Sequence, residues 1–334
     1  MNLHLLIYRS SIPMRRLTAT VAVLLIAAVV LTATSAAQAQ NTSGVSAVVS
    51  HRTLVVSGTT GADTVALRLK AGDPTTVQVD VGNDGSADFS FARSALNAID
   101  VRMSAGPDIV RIDDSNGAFT DSIPTTLAGG GGDDSLSGGA GAETFHGGGG
   151  NDTLIGGRGN DTFAWNPGDG SDTIEGQRGD DTMSFNGANL AENITLSDNS
   201  GRLKLSRDVG NVTMDVHGVE DIDVNALGGA DTVTVNDLTG TGVSKLNIVL
   251  AATVGGGTGD GAIDHVIVKG TPGDDNVNLV GNGAGADITD LVAGISVVHA
   301  DRNDTLSVNT LPGKDSVLST GVFGMQVSVN GTPI

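Results

Sequence analysis

Residues 129–184 repeat one short glycine-rich unit six times, and this repetition constrains the fold more than any other feature. In register, the segment reads GGGGDDSLS, GGAGAETFH, GGGGNDTLI, GGRGNDTFA, WNPGDGSDTIE and GQRGDDTMS. Five units have nine residues and the fifth has eleven. Each unit supplies glycines, then an acidic residue, then one large apolar residue, in the pattern GGxGxDxUx. A fixed short period of this kind is typical of a β-solenoid.

The two halves of each unit have different conformational preferences. Glycine tolerates positive φ, so the first six residues are expected to form a tight turn with exposed carbonyl oxygens. The last three residues are expected to form a short strand, in which neighbouring side chains point to opposite faces. The Ser/Thr neighbours at 135, 144, 153, 162, 173 and 182 are predicted to point outward. The bulky residues predicted to point inward are Leu136, Phe145, Leu154, Phe163, Ile174 and Met183.

The pattern resembles the RTX, or haemolysin-type, calcium-binding repeat family over about 56 residues. The resemblance implies a parallel β-roll in which two units complete one coil of about 18 residues. Turns from alternate units would then stack, placing Asp134 near Asp152, Glu143 near Asp161, Asp152 near Asp172, and Asp161 near Asp181. Unpaired carboxylates this close must protonate or bind a cation. Calcium accepts six to eight carboxylate and carbonyl oxygens, whereas magnesium demands a stricter octahedron.

We therefore predict about four calcium ions in the central repeats, since six stacked units offer about four such pairings. The expected carboxylate ligands are Asp134, Glu143, Asp152, Asp161, Asp172 and Asp181. The expected carbonyl ligands belong to Gly129, Gly131, Gly138, Gly147, Gly149, Gly156 and Arg158. Two units depart from the pattern: Glu143 has an extra methylene, and in the fifth unit Asp169 or Asp172 could serve. Trp165, in that fifth unit, is expected to pack rather than to bind a ligand.

The first 39 residues are expected to form a secretory signal peptide. Arg9, Arg15 and Arg16 precede the apolar run VAVLLIAAVVLTAT, and AQA at 37–39 fits a cleavage site for a signal peptidase. The alternative is an uncleaved membrane anchor, for which the run is short. After cleavage we expect no integral membrane segment, and a location outside the cell or in the cell envelope.

The segments on either side of the repeats are predicted to be all-β as well. Residues 40–127 form an N-terminal β-strand region, 128–185 the calcium-binding β-roll, and 186–334 a C-terminal region with degenerate G-x-D-x-U steps. Their irregular spacing favours longer solenoid coils, with a looser β-sandwich as the alternative. Acids in these steps are candidate calcium ligands or simple Asx-turn residues: Asp63, Asp108, Asp231, Asp274 and Asp304. The stretch DVGNDGSAD at 80–88 is interpreted as a hairpin turn.

Charge and composition narrow the function classes. Without residues 1–39 the chain has 15 basic and 38 acidic residues, a formal charge of −23, so nucleic acid is a poor partner. The chain contains no cysteine, which excludes disulfides and thiolate metal sites. The histidines are scattered, and no catalytic constellation stands out, so we do not expect an enzyme.

We predict a secreted calcium-binding protein with a structural or interaction role. Calcium binding is expected to drive its folding after export, and the sequence does not identify its partner in the cell envelope or outside the cell. The alternatives are a surface adhesin or carbohydrate-binding protein, or a β-helix polysaccharide lyase or epimerase.

Overall fold

Apolar and polar residues alternate along most strands, and this alternation builds two long sheets that share one core. A computed structural model describes residues 44–334, which belong to one compact unit. The predicted signal peptide lies outside the described residues. The described part contains 28 strands and three short 3₁₀ turns, at Arg93–Ala95, Asp114–Asn116 and Val209–Asn211. It has no helix that is long and apolar enough to cross a membrane.

The strands before and within the glycine-rich repeats are short. They are β1 (Ser46–Ser50), β2 (Thr53–Ser57), β3 (Thr64–Lys70), β4 (Asp73–Val81), β5 (Phe89–Ala92), β6 (Ala98–Arg102), β7 (Ile109–Asp113), β8 (Thr125–Gly131), β9 (Ser135–Ser137), β10 (Glu143–Gly149), β11 (Thr153–Arg158), β12 (Thr162–Trp165), β13 (Thr173–Arg178) and β14 (Thr182–Asn186).

The strands after the repeats have similar lengths. They are β15 (Asn193–Asp198), β16 (Leu203–Arg207), β17 (Val212–His217), β18 (Asp221–Asn225), β19 (Thr232–Val235), β20 (Lys245–Val249), β21 (His265–Lys269), β22 (Asn276–Asn282), β23 (Ala286–Thr289), β24 (Gly294–Val298), β25 (Thr305–Asn309), β26 (Ser316–Val322), β27 (Gln326–Val329) and β28 (Thr332–Pro333).

Successive strands enter the two sheets alternately through the repeats, as expected for a solenoid. The 13-stranded sheet has the order β1-β2-β6-β8-β10-β12-β14-β18-β20-β24-β23-β22-β26. The 15-stranded sheet has the order β28-β27-β25-β21-β19-β15-β16-β17-β13-β11-β9-β7-β3-β4-β5. Neighbours on consecutive coils pair in parallel, as β10 does with β8 and β12. The predicted all-β fold with a parallel β-roll is confirmed.

Antiparallel excursions interrupt the coils in the flanks. The strand groups β3-β4-β5, β15-β16-β17 and β22-β23-β24 pair antiparallel. The stretch 80–88 connects β4 to β5, which pair antiparallel, so it is the hairpin that the sequence predicts. These excursions lengthen the coils and account for the irregular spacing of the flanking motifs.

The core consists of columns of identical-facing side chains. In the 13-stranded sheet one column runs through registered positions Val101, Leu127, Phe145, Phe163, Met183, Ile222, Leu246 and Ile295. In the other sheet it runs through Val65, Val110, Leu136, Leu154, Ile174 and Val216. All of these are buried. The six predicted inward residues are therefore confirmed as core residues. Their six Ser/Thr neighbours are partly or fully exposed.

Candidate metal centre

Acidic side chains at the ends of the turns stack along the solenoid axis. In each turn we number the residues 1 to 6, from the first glycine to the acid, as in 147–152. The N–H of Asp134 donates to Oδ1 of Asp152 at 2.8 Å, and the N–H of Asp152 donates to Oδ1 of Asp172 at 2.9 Å. On the alternate turns, the N–H of Glu143 donates to Oδ1 of Asp161 at 2.8 Å. The predicted stacking of these acids is confirmed.

The same bond, from the N–H of one acid to the carboxylate of the next, links acids well beyond the repeats. It defines a first ladder, a second ladder, a third ladder and a short fourth one. The first ladder consists of Asp63, Asp108, Asp134, Asp152 and Asp172, and the second of Glu143, Asp161, Asp181 and Glu220. The third consists of Glu192, Asp231, Asp264 and Asp304, and the fourth of Asp275 and Asp315.

Within the described residues, six of the seven acids inside the ladders have one satisfied oxygen and one buried oxygen without a partner. Oδ1 accepts the N–H from the preceding ladder member, whereas Oδ2 is buried with no hydrogen-bond partner in the described structure. The acids with such a lone Oδ2 are Asp108, Asp134, Asp152, Asp161, Asp181 and Asp231, and Glu143 has a lone Oε1. These residues are at most 2% exposed. Burying a carboxylate oxygen without a partner costs free energy of folding, so a cation that binds these oxygens would stabilise the fold.

In most of the nine-residue repeats, the first glycine makes room for that oxygen. A Cβ atom at Gly129, Gly147 or Gly156 would lie closer than 3.0 Å to Oδ2 of the acid five residues later. At Gly129 and Gly156 it would also lie 2.6 and 2.7 Å from a carbonyl oxygen, that of Gly147 or Gly176. The glycine therefore creates a small cradle where a carboxylate and a carbonyl of the next coil meet.

In each ladder, the carboxylate of the first acid accepts a hydrogen bond from an N–H group of its own turn. Oδ2 of Asp63 accepts the N–H of Thr59 at 2.6 Å and its hydroxyl at 3.0 Å. Thr271 caps Asp275 in the same way, with its N–H 3.0 Å from Oδ2 and its hydroxyl 2.8 Å from Oδ1. The N–H of Gly139 donates to Oε2 of Glu143 at 2.9 Å. Six of the seven lone ladder oxygens therefore belong to acids inside the ladders, and the seventh is Oε1 of Glu143, the first acid of the second ladder.

Basic residues do not neutralise these interior acids. Other buried acids have arginine partners: Nη1 of Arg68 lies 2.6 Å from Oδ2 of Asp80, and Nε of Arg207 donates to Oε1 of Glu192 at 2.8 Å. Within residues 44–334, no ion pair involves an acid whose Oδ2 is lone. The ladder interiors are therefore uncompensated negative charge.

Burial raises the pKa of these carboxyl groups. Desolvation, reinforced by neighbouring acids, raises the pKa of Asp152 to about 6 and that of Asp161 to about 7. The pKa of Asp172 rises to about 7 for the same reasons. Each carboxylate must therefore either hold a proton near neutral pH or receive a cation.

Calcium suits this donor set better than a cation that needs several side-chain ligands. In the described part of the chain, no three His, Cys, Asp or Glu side chains converge closely enough to hold a metal by themselves. A bound ion would therefore combine a carboxylate with backbone carbonyls, a mixture of oxygens that calcium accepts in flexible geometry. The unpartnered oxygens and the glycine cradles fit such an ion.

Most predicted ligands lie in these turns. At two places the structure decides between neighbouring acids, which the sequence could not do. Asp172 takes the ladder position, whereas Asp169 accepts the N–H of Asn166 at 2.6 Å. Asp274 lies at the surface, where Oδ1 accepts the N–H of Lys314 at 2.8 Å, and its neighbour Asp275 is buried in the fourth ladder. One residue decides the difference, since alternate side chains point to opposite faces.

The predicted carbonyl donors lie in the same stacked turns. The oxygens of Gly131 and Gly149 accept N–H groups of Gly106 and Gly132 at 2.6 and 2.7 Å. Those of Gly147 and Gly156 approach the cradles at Gly129 and Gly138. The remaining three, Gly129, Gly138 and Arg158, occupy turn positions 1, 1 and 3. Of the flanking candidates, Asp63, Asp108, Asp231 and Asp304 are all ladder members.

Several ladder members escaped the sequence reasoning. They are Glu192, Glu220, Asp264, Asp275 and Asp315. The signal for two of them was a glycine five residues before the acid, at Gly187 and Gly270, where a Cβ would again lie closer than 3.0 Å to the carboxylate. Glycine spacing alone therefore reveals part of the ladders outside the regular repeats.

Trp165 is a packing residue, as predicted. It is 2% exposed, its ring stacks on Phe185 at 4.2 Å, and its Nε1–H donates to the carbonyl of Gly170 at 2.9 Å. The guanidinium of Arg207 lies 5.4 Å from the ring centroid. The eleven-residue unit is thus accommodated by an aromatic stack.

Comparison with known families agrees with this geometry. Residues 128–163 and 168–189 match the family model of the RTX calcium-binding nonapeptide repeat, which spans four copies. The matched segments contain the acids from Asp134 to Asp181 with lone oxygens. No curated protein matches the chain. The central coils are therefore RTX calcium-binding repeats.

Proposed function

We propose that this chain, whose central coils are RTX calcium-binding repeats, is an exported protein with a structural or interaction role that calcium folds after export. The observation that carries the proposal is the set of buried, unpartnered carboxylate oxygens on Asp134, Asp152, Asp161 and Asp181. These groups repel one another in the folded chain unless a cation joins them. Binding free energy at such sites becomes folding free energy.

The chain's own residues would position the ion in three ways. Glycine at turn position 1 leaves space for the cradle. The N–H of the preceding ladder acid binds Oδ1, so that Oδ2 remains available to the ion. The apolar columns fix the spacing between coils. When bound, calcium supplies the positive charge that the stacked acids lack.

Export is supported by the composition and by the predicted signal peptide. Calcium is scarce in the cytoplasm and more abundant outside it, so the acidic chain would stay unfolded until it is exported. We propose a location outside the cell or in the cell envelope, with calcium, which the matched repeats imply, as its ligand. We assign it no catalytic step; turnover of uronate polymers in the presence of calcium would contradict that assignment.

Circular dichroism tests the folding proposal. The purified mature chain is recorded in excess chelator and then titrated with calcium to millimolar concentration. We expect a largely unfolded spectrum in chelator and a cooperative gain of β signal with calcium. A spectrum that is already β-rich in chelator and does not change with calcium would overturn the proposal. Magnesium at the same concentration serves as the control for ionic strength.

A further inference from the structure

Asp231 lies outside the residues that match the repeat family but has the same lone oxygen. It is fully buried, and its Oδ1 accepts the N–H of Glu192 at 2.9 Å. Among residues 44–334, its Oδ2 has no hydrogen-bond partner. Its own N–H donates to Oδ1 of Asp264 at 2.8 Å. Asp231 is therefore an interior member of the third ladder, in the same bonding state as Asp152 and Asp181.

The turn that carries Asp231 also has the conformation of the last matched turn. In the matched turn 176–181, Gln177 has φ +73° and Gly179 has φ +157°. In the turn 226–231, Leu227 has φ +69° and Gly229 has φ +132°. A leucine rarely adopts a positive φ, so the sequence of this turn does not dictate its shape. Stacking on the preceding turn imposes it.

The stacking contacts are those of the repeats. A Cβ at Gly229 would lie closer than 3.0 Å to the carbonyl oxygen of Leu190, at position 4 of the preceding turn. In the matched turns a Cβ at Gly150 would meet the carbonyl of Gly132 in the same manner. The departure is Ala226 at position 1, where the nine-residue repeats have glycine, so that the turn matches the repeat pattern only in part.

The charge around Asp231 is uncompensated. Asp264 is 1% exposed, and Oδ2 of Asp260 accepts the N–H of Gly229 at 2.7 Å, a role that a carbonyl fills in the repeats. Arg207 is already engaged with Glu192, at the top of the ladder. Among the described residues, no ion pair involves Asp231, Asp260 or Asp264. Asp260 adds a further negative charge beside the turn, which makes cation binding there more favourable.

We propose a further calcium site at Asp231, in the third ladder of the C-terminal region, with the lone Oδ2 as its anchor. This inference rests on the proposed calcium binding of the central repeats. A hard divalent ion that accepts carboxylate and carbonyl oxygens together is the fitting ligand. Calcium binding would then extend past the matched repeats into the long coils that follow them.

Native mass spectrometry of the full mature chain in calcium tests the site. Asp231→Asn retains the Oδ1 acceptor for Glu192 but replaces the lone oxygen with an amide. We expect this variant to bind one ion fewer than wild type. The matched control is Asp275→Asn, whose carboxylate is already capped by Thr271, and which should bind as many ions as wild type.

Asp152→Asn separates the two levels of the proposal. Loss of an ion in Asp152→Asn with no loss in Asp231→Asn would overturn the site at Asp231 and leave the proposed function standing. Absence of bound calcium in wild type would overturn both. If Asp231→Asn does not fold, it is remade with Leu227→Gly, in which glycine relieves the positive φ, and compared with Leu227→Gly alone. Equal ion counts in that pair would also overturn the site.

Discussion

At the scale of single residues, glycine at turn position 1 and the acid at position 6 form one functional pair. At Gly129, Gly147 and Gly156 the carboxylate folds back over the glycine, so that a Cβ would lie closer than 3.0 Å to Oδ2. Position 3 has no such restriction: a Cβ at Gly149 would find its nearest atom at 3.6 Å, an ordinary contact. Gly147 and Gly149 therefore differ in what they do, in agreement with the pattern GGxGxDxUx, which has glycine at position 1 and a variable residue at position 3.

This difference predicts the outcome of two alanine substitutions in the same turn. Gly147→Ala should destabilise the calcium-loaded protein by about 1–3 kcal/mol, the usual cost of forcing extra atoms into a packed site. Gly149→Ala should change stability by less than about 0.5 kcal/mol. Urea unfolding in saturating calcium measures both. Equal losses in the two variants would contradict the cradle.

The buried acids also predict how pH acts with and without calcium. The folded pKa of Asp161 lies near 7, above its ordinary 3.8, so the calcium-free fold gains protons and stability as pH falls from 8 to 5. This contribution is lost as pH rises through the folded pKa. Protons compete with calcium for the same oxygens, so the calcium-loaded form gains less from acid.

The measurement is the melting temperature at pH 5 and pH 8 of two forms of the protein, one in saturating calcium and one in the lowest calcium concentration that folds the chain. We expect the difference between the two forms to be large at pH 8 and to narrow at pH 5. A difference that widens toward pH 5 would mean that these carboxylates are not the groups that calcium and protons share.

At the scale of the strands, the period-two alternation joins one coil to the next. Phe145 and Phe163 face each other across β10 and β12, with ring centroids 4.9 Å apart and an interplanar angle of 18°. Both rings are essentially fully buried. The side chains between the sheets therefore fix the coil spacing that the carboxylate ladders require.

Truncation of one ring tests this coupling. Phe163→Ala should cost about 3–5 kcal/mol in saturating calcium, because it leaves a cavity in a continuous apolar column. Phe163→Leu, which retains more of the volume, should cost less. Guanidinium unfolding gives both values. A loss below 1 kcal/mol for the alanine variant would show that metal alone sets the stability of these coils.

The strand pattern was predictable from sequence wherever the period is regular. The inward positions of Leu136, Leu154 and Ile174 follow from alternation in a three-residue strand. The ladder positions of Asp264 and Asp315 do not, because these acids lie 33 and 40 residues from their ladder partners Asp231 and Asp275, instead of 18 as between Asp134 and Asp152. Only the three-dimensional stacking shows that these acids repeat the geometry of the central coils.

At the scale of the whole molecule, parallel coils with stacked acids continue from the first ladder to the last strands. The first acids of the ladders accept hydrogen bonds from their own turns, as from Thr59 and Thr271, or from Arg207 on Glu192. Within the described residues, most acids inside the ladders have an oxygen without a partner, as does Glu143 at the top of the second ladder. A chain with 38 acidic residues and only 18 basic ones cannot close its interiors from its own side chains. The fold is thus built for an external cation.

The free energy of unfolding measured against free calcium concentration tests this claim most directly. The slope of the logarithm of the folding constant against the logarithm of free calcium equals the number of ions taken up on folding. The four lone Oδ2 atoms of the matched repeats predict a slope of about four, and each lone Oδ2 outside them that binds an ion, as proposed for Asp231, adds one. A slope near zero, with a stable fold in chelator, would contradict the account.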